Sequence, residues 1–287
     1  DYTLIIMLEM FRAIAWLVLL ASGLAIIFGM MRVINFAHGE FLMLGGYITI
    51  MTHNAGVPLW ISMLILAPLT VGIFGVLVER LIIRHLYGRI IDSLLATWGL
   101  SLLMIGGVTL IFGNTVQGVS TPLGGFSVGE YQMPVYNFVL IGFAALIMLG
   151  VWSVLRFTKA GLIARATMQN PDMAETLGIR TTWVYMITFG VGSAVTGLAG
   201  GLLAPLTGVV PSMGVNFVGQ SFITVITGGA SMIAGTLSAS TLLGTISQGT
   251  TFATGPVYGD AALLLTALVL LRILPNGITG RIFRKSL

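Results

Sequence analysis

The sequence predicts an all-α protein, a polytopic membrane helical bundle. Of its 287 residues, 56% are hydrophobic and only 8% are charged, and the mean hydropathy is +1.03. Soluble domains carry roughly 25% charged residues. Apolar runs recur from Ala13 to Leu274, so no segment remains that could form a separate water-soluble domain. We therefore expect one membrane domain over residues 1–287.

The apolar runs place the expected spans along the chain. They cover residues 13–31, 36–52, 59–78, 93–112, 137–156, 183–205, 217–236, 238–254 and 260–275. Several of these runs are shorter than the roughly 18 residues that a straight helical crossing needs. We therefore expect about eight to ten transmembrane segments, with one or more Gly-rich segments broken or re-entrant.

The basic residues predict the orientation. If the crossings alternate, one side receives Arg32, Arg80, Arg84, Arg89, Arg156, Lys159, Arg165, Arg180, Arg272, Arg281, Arg284 and Lys285. The other side receives only Arg12. By the positive-inside rule the first side is cytoplasmic, and the carboxyl terminus lies there too. The chain begins at Asp1 without a basic signal peptide, so we expect that an initiator region was lost to processing or truncation.

A polar group stands at the start of the second apolar run, in MRVINFAHGEFLMLGGY. A helix starting near Val33 would place Asn35 and His38 on one face, with Glu40 turned off it and within reach of Arg32. Ionisable groups in membranes usually face the protein interior. Two interpretations stay open, since the three side chains either cap a short helix and bond its neighbours, or shape an inner gate. No metal site is expected, because the chain lacks cysteine and HExxH.

Two loops carry further signals. Residues 113–136 contain Glu130 but no Lys or Arg, and their turn-rich end TPLGGFSVGEYQMP predicts an ordered external loop. Residues 157–182 form a cytoplasmic loop with the signature of a short helix. Asn170 is a good N-cap, Pro171 fits the first helical position and Gly178 supplies a left-handed stop.

That short helix has a charged start and an apolar face. Asp172 and Glu175 lie near the positive end of its dipole. Met173, Ala174 and Leu177 are expected on one apolar face, and the segment is too short and too polar to cross a membrane. The face must therefore lie against the bundle at the lipid interface or in a groove of a partner protein. We favour the partner groove.

From Thr181 to Gly259 the chain has no charged residue and no histidine. Gly197 and Gly201 have the small-xxx-small spacing of closely packed membrane helices. Alternatively, the segment 224–236 is partly unwound, so that hydroxyls and freed carbonyls line a path for a neutral or zwitterionic solute. The two interpretations are compatible on opposite helix faces. The candidate path residues here are Thr227, Gly228, Gly229 and Ser231.

Several of these segments together resemble a known family. INFAHGEFLMLGGY, Ala164-Arg165-Ala166 with the Asn170 to Gly178 loop, and the ending PNGITGR are similar to the LivH/LivM-type permeases of branched-chain amino-acid ABC importers, closer to the LivH-like half. The segment LYGRIIDSLLATWGLSL is associated with urea and short-amide members of that family. The resemblance covers nearly the whole chain.

The resemblance implies a transmembrane permease domain over residues 1–287 in a bacterial cytoplasmic (inner) membrane. The helix from Asn170 to Gly178 would be a coupling helix, with Ala174 and Gly178 where the family keeps a small residue and a glycine. The implied partners are two cytoplasmic ATP-binding subunits, a second permease subunit that is a different LivM-like chain, a periplasmic solute-binding protein and the lipid bilayer. No nucleic acid is implied.

The expected function is therefore solute import by alternating access, driven by partner ATPases. Neither lysine belongs to a Gly-Lys-Ser/Thr phosphate loop, so this chain is not expected to hydrolyse ATP, to act as an enzyme or to hold a cofactor. The solute stays open between branched-chain amino acids and urea or a short amide. The alternative is a passive channel for a small neutral polar solute such as urea. An ion-coupled carrier is disfavoured, since Glu40 and Asp260 lie near span ends.

Overall fold

The structure, a computed structural model, describes residues 2–128, 131–229 and 231–283. The helices are α1 Tyr2–Met31, α2 His38–Asn54, α3 Leu59–Ile61, α4 Ala67–Leu81, α5 Ile90–Phe112, α6 Tyr136–Phe157, α7 Lys159–Gln169, α8 Pro171–Thr176, α9 Thr181–Thr207, α10 Met213–Gly228, α11 Met232–Thr254, α12 Pro256–Ile273 and α13 Gly277–Phe283. A π-helical turn, Ser62–Leu66, joins α3 to α4, and a 3-10 turn, Ile83–Leu86, follows α4. The strands are β1 Gly125–Val128 and β2 Tyr131–Pro134.

Within the described ranges, six helical stretches are long and apolar enough to cross a membrane. They are Thr3–Met31, Leu59–Leu81, Ile90–Phe112, Tyr136–Phe157, Thr181–Thr207 and Pro256–Gly280. Helices α10 and α11 satisfy the same criteria together, as a pair bent by 114°. The chain is thus a polytopic helical membrane protein, as predicted, but with six or seven such stretches where we expected eight to ten.

The difference in number has local causes. Helix α2, predicted as a span at 36–52, is only 17 residues long. The runs at 217–236 and 238–254 are not two straight crossings, because the chain bends between α10 and α11. The expectation that a Gly-rich segment is broken is therefore confirmed. The first helix also begins earlier than predicted and includes Arg12, whose guanidinium lies 2.6 Å from the Glu9 carboxylate one turn before it.

The chain divides into two compact units, and each is described by itself. The first, here called the α2–α9 unit, comprises Ser22–Ser120 and Gly150–Gly219. The second, here called the α11–α12 unit, comprises Asp1–Ala21, Thr121–Leu149 and Gln220–Leu287. The expectation of a single permease domain over residues 1–287 stays a prediction.

Glycines bring the central helices of the α2–α9 unit into backbone contact. A Cβ atom added to Gly45 of α2 would lie 2.2 Å from the carbonyl oxygen of Gly197 on α9. A Cβ atom on Gly201 would lie 2.7 Å from the Thr49 hydroxyl. Such distances leave no room for a side chain, so the packing interpretation of Gly197 and Gly201 is confirmed. Around them, Phe41 meets the ring of Phe74 edge-on, with 5.4 Å between centroids.

The α11–α12 unit has its own apolar core, made by Leu17, Leu243, Leu263 and Ala267. It also contains the antiparallel hairpin of β1 and β2, in which Gly125 pairs with Pro134. The all-α class is correct for the membrane part, but this hairpin lies in the segment predicted as an ordered external loop. The Glu130 of that prediction lies outside the described residues, as do Arg284 and Lys285 of the basic carboxyl end.

Candidate functional site

Helix α8 has the caps that the sequence predicts. Asn170 is extended, with φ −154°, and its side-chain oxygen accepts a hydrogen bond from the Met173 N–H at 3.0 Å. Pro171 occupies the first helical position. Gly178 has φ +83°, and its N–H donates to the Glu175 carbonyl at 2.9 Å. The helix is therefore a short unit with both ends closed by local bonds.

The apolar face of α8 is divided between two environments. Met173 is 58% exposed and Leu177 is 74% exposed, whereas Ala174 is only 2% exposed. The expectation of one shared face is wrong for Ala174, because adjacent helical positions point about 100° apart. The small Ala174 side chain packs on the protein itself, and the two long side chains point outward.

The acidic residues of α8 differ as well. Asp172 and Glu175 are both exposed, and the Glu175 carboxylate accepts a hydrogen bond from the Thr181 hydroxyl at the start of α9. This bond ties the end of α8 to the first turn of a membrane-length helix. The position of α8 is thus linked to α9 by a side chain as well as by the short connection between them.

Helix α7 joins α8 to α6 through a tight turn that the sequence interpretation missed. The Thr158 hydroxyl accepts the Gly161 N–H at 3.0 Å and donates to the Val154 carbonyl at 2.6 Å. A Cβ atom on Gly161 would lie 2.2 Å from the same Val154 oxygen. Because α7 turns so closely on the last turn of α6, both ends of the α7–α8 segment are held by membrane-length helices.

The second candidate group, Asn35, His38 and Glu40, is buried in the α2–α9 unit. Their exposed fractions are 0%, 0% and 1%. The helix begins at His38, so the expectation of a helix from near Val33 is wrong. The Asn35 side-chain oxygen accepts the Ala37 N–H at 3.1 Å and holds a turn before the helix instead.

This buried group connects three helices. The His38 ring lies 3.4 Å from the Thr196 hydroxyl of α9, and the Thr97 hydroxyl of α5 accepts the Phe36 N–H at 3.1 Å. The side-chain nitrogen of Asn35 has no hydrogen-bond partner among the described residues, and the Glu40 carboxylate lies near the Ser101 hydroxyl of α5. The capping part of the first interpretation is wrong, because no side chain caps the start of α2. The bridging part fits the contacts with α5 and α9, and the gate stays a hypothesis. The contact of Glu40 with Arg32 is not found, since the carboxylate has no ion pair there.

The third candidate group lies at the bend between α10 and α11, in the α11–α12 unit. Gly229 has φ +84°, and a Cβ atom there would lie 2.5 Å from the Asn276 carbonyl oxygen. The Gly228 carbonyl accepts the Thr279 hydroxyl at 2.6 Å, and the Ser231 N–H donates to the same hydroxyl oxygen at 3.2 Å. The segment is unwound as expected, but Thr279 binds the backbone groups that the bend frees.

Thr279 is a residue that sequence reasoning missed as a site residue. It belongs to the PNGITGR ending, which was noted only for its resemblance, and a contact 51 residues from Gly228 leaves no local signal. Thr227, two residues before Gly229, has a buried hydroxyl without a partner in the described part of the chain. The structure thus places α8 and the Asn35 group in one unit, and the bend in the other. Among the described residues, no cluster of three His, Asp or Glu side chains could hold a metal ion.

The membrane-length helices define the class of polytopic helical membrane proteins. The family described as branched-chain amino acid transport system / permease component matches residues 6–274, and the chain belongs to this family.

Curated relatives agree with this assignment. The chain is 29% identical to the probable branched-chain amino acid transport permease protein LivH of Methanocaldococcus jannaschii, over 94% of this chain and 90% of that protein. It is 29% identical to the high-affinity permease protein BraD of Pseudomonas aeruginosa, over 92% and 91%. It is 27% identical to the high-affinity permease protein LivH of Escherichia coli, over 92% and 91%. No solved structure matches the chain significantly.

Proposed function

We propose that this chain is one of two permease subunits of an ATP-driven importer, and that its solutes are branched-chain amino acids. The family description and the names of the relatives support this solute over urea. In this proposal two cytoplasmic ATP-binding subunits drive alternating access. A different LivM-like permease chain completes the path, and a periplasmic solute-binding protein delivers the amino acid.

The observation that carries the proposal is the outward pair Met173 and Leu177 on the capped helix α8. Met173 and Leu177 are four residues apart on one side of a capped helix, which is the spacing of the apolar anchors in helix-in-groove recognition. The caps at Asn170 and Gly178 fix the helix, and Glu175 links it to α9. If a groove on an ATP-binding subunit holds Met173 and Leu177, a movement of that subunit would move α8 and, through the Glu175 bond, α9 as well.

The proposed orientation follows from the distribution of charge. Two arginines lie on either side of α8 in the chain, Arg156 at the end of α6 and Arg180 just before α9. Two more follow from α4, Arg80 in its last turn and Arg84 in the 3-10 turn after it. We propose that these ends, α8 and the carboxyl terminus face the cytoplasm, with the protein in the inner membrane. The hairpin of β1 and β2 then faces the periplasm, where the solute-binding protein docks.

We further propose that two polar groups contribute to the path or its gate. One group is Asn35, His38 and Glu40. The other lies at the bend and consists of Thr227, Gly228, Gly229 and Ser231. Buried polar atoms without partners are costly, so they are usually kept for a reason. Asn35 and Thr227 carry such atoms, and the buried Glu40 carboxylate has only a hydroxyl, that of Ser101, beside it. A zwitterion offers an ammonium group to carboxylate and hydroxyl oxygens, and a carboxylate to amide N–H groups.

The test is uptake by the complete importer in proteoliposomes, with the binding protein outside and ATP inside. We expect that Leu177→Asp abolishes ATP-dependent leucine uptake while the permease still accumulates in the membrane, because a charge cannot enter an apolar groove. Leu162→Asp is the matched control, since Leu162 is an exposed leucine on α7 outside the capped helix. Full uptake by Leu177→Asp, or leucine flux through the permease alone without ATPases, would refute the proposal.

A further inference from the structure

A cleft of about 560 Å³ opens beside α8 in the α2–α9 unit, where α4 ends and α9 begins. The end of α4 contributes Arg80, the 3-10 turn contributes Arg84, and the start of α9 is preceded by Arg180. Two carboxylates, Glu79 and Glu175, also line it. The volume is enough for a phosphate-bearing group with its immediate substituents, and the path residues proposed above do not line it.

The cations and the carboxylates of the cleft differ in their bonding. The Glu79 carboxylate accepts the Tyr87 hydroxyl, and the Glu175 carboxylate accepts the Thr181 hydroxyl. The ion pairs of the described residues are Arg12 with Glu9 and Arg89 with Asp92, so the three cleft arginines have no carboxylate partner there. The carboxylates accept bonds from neutral hydroxyls and keep their formal charges, so the three positive charges of the cleft outnumber the two negative ones. Guanidinium groups match phosphate oxygens through paired hydrogen bonds.

Exposed apolar side chains lead away from the cleft on two helices. On α4 they stand one turn apart, at Leu69, Ile73 and Leu77. On α9 they are Trp183, Ile187 and Val191, which stand one turn apart as well. These helices pack antiparallel, since Gly72 lies against Ala194 and Gly190 against Val76, so the two stripes leave the cleft in the same direction.

We propose that the cleft binds the phosphate of an anionic phospholipid, with the headgroup held by Arg80, Arg84 and Arg180. The acyl chains lie along the stripes of α4 and α9, and Trp183 lies at the level of the headgroup, where tryptophan is enriched in membrane proteins. Basic pockets at the cytoplasmic ends of membrane helices are typical headgroup sites. The stripes favour a lipid over free phosphate. The proposal rests on the proposed orientation but on no step of transport.

The experiment measures lipid binding by the purified full-length chain with native mass spectrometry. The probes are phosphatidylglycerol and phosphatidylcholine with the same acyl chains. We expect the wild-type chain to prefer phosphatidylglycerol, and expect each arginine to contribute about five-fold to that preference. The variant with Arg80→Gln, Arg84→Gln and Arg180→Gln should lose the preference. Arg89→Gln is the matched control, because Arg89 is an exposed arginine already paired with Asp92.

Further arms separate the other sources of negative charge. A variant with lysine at the three positions keeps the charges without the paired hydrogen bonds and should keep part of the preference. An unchanged melting temperature of the glutamine variant shows that its loss of preference is not unfolding. Equal preference in the glutamine variant and the wild type would overturn the proposal. If inorganic phosphate displaces phosphatidylglycerol, the cleft binds a soluble anion and the lipid proposal is wrong. If the preference is lost once ATPase subunits are bound, the cleft belongs to the contact with that partner, and the lipid proposal is wrong as well. Because no transport is measured, failure here leaves the proposed function intact.

Discussion

Glu79 is a carboxylate with an exposed fraction of only 1%, in the last turn of α4, and the Tyr87 hydroxyl donates to it. Tyr87→Phe removes the donor hydroxyl and leaves the buried Glu79 carboxylate without this hydrogen bond. A lost bond of this kind costs about 1–3 kcal/mol, so we expect the variant to unfold at a lower temperature in detergent. Tyr258→Phe is the control, because the Tyr258 side chain is exposed. Equal melting of Tyr87→Phe and the wild type would contradict the bond.

The same pair predicts a pH dependence. Burial raises the pKa of the Tyr87 phenol well above its ordinary value, and the Glu79 carboxylate raises this pKa further. A group whose pKa is raised by folding stabilises the folded state fully below its unfolded pKa, which is about 10 for tyrosine. The stability difference between wild type and Tyr87→Phe should therefore be constant at neutral pH and shrink above about pH 10. A difference that grows with alkaline pH would reverse the sign and contradict this.

Thr279 is the residue that closes the bend between α10 and α11. Its hydroxyl donates to the Gly228 carbonyl and accepts the Ser231 N–H. Thr279→Val keeps the shape but loses both bonds, so we expect a loss of about 1–3 kcal/mol in unfolding free energy. Thr279→Ser keeps the hydroxyl and should restore most of it. Urea unfolding of the three proteins in detergent measures the effect. Wild-type stability of Thr279→Val, which keeps the methyl group and lacks the hydroxyl, would contradict the role of the two bonds.

At the scale of elements, the contact of α2 with α9 depends on missing side chains. A Cβ atom on Gly200 would lie 1.9 Å from the Leu42 carbonyl oxygen, whereas nothing lies within 4 Å of a Cβ atom on Gly99. Overpacking of this kind costs about 1–3 kcal/mol. Gly200→Ala should therefore lower the thermal stability and the yield of folded protein, while Gly99→Ala should not. Size-exclusion profiles and melting temperatures compare the two variants. Equal stability of Gly200→Ala and Gly99→Ala would mean that α2 and α9 can move apart at little cost.

Elements with local signals could be predicted from the sequence, and elements fixed by distant contacts could not. The caps of α8 at Asn170 and Gly178 lie within its own few residues, so its position was predicted correctly. The start of α2 was misplaced because Asn35 bonds to Ala37 and holds a turn where helical periodicity alone continues.

In the candidate sites, too, contacts between residues distant in sequence could not be predicted. The unwinding between α10 and α11 was predicted from glycines, but its partner Thr279 lies 51 residues from Gly228. The three arginines of the cleft are spread from residue 80 to 180, so their meeting depends on the packing of α4 against α9. Hydropathy alone does not distinguish the 17-residue α2 or the bent pair of α10 and α11 from straight spans, so the number of membrane-length helices differs from the number of apolar runs.

At the scale of the whole molecule, the proposed orientation rests on arginine and lysine positions, and the chain offers a clean test because it contains no cysteine. Ser120→Cys places a thiol in the segment expected outside, and Ala160→Cys places one on α7, expected inside. Both native side chains are exposed, so either thiol should react when a reagent reaches it.

The reagent is a maleimide that does not cross membranes, applied to intact cells and then to permeabilised cells. We expect Ser120→Cys to be labelled in intact cells and Ala160→Cys only after permeabilisation. The unsubstituted chain gives no signal in either case, which removes the background. The opposite labelling pattern would show that the protein has the opposite orientation in the membrane. Helix α8 would then face away from ATP, and an ATPase could not dock on Met173 and Leu177, although the helix packing would be unchanged.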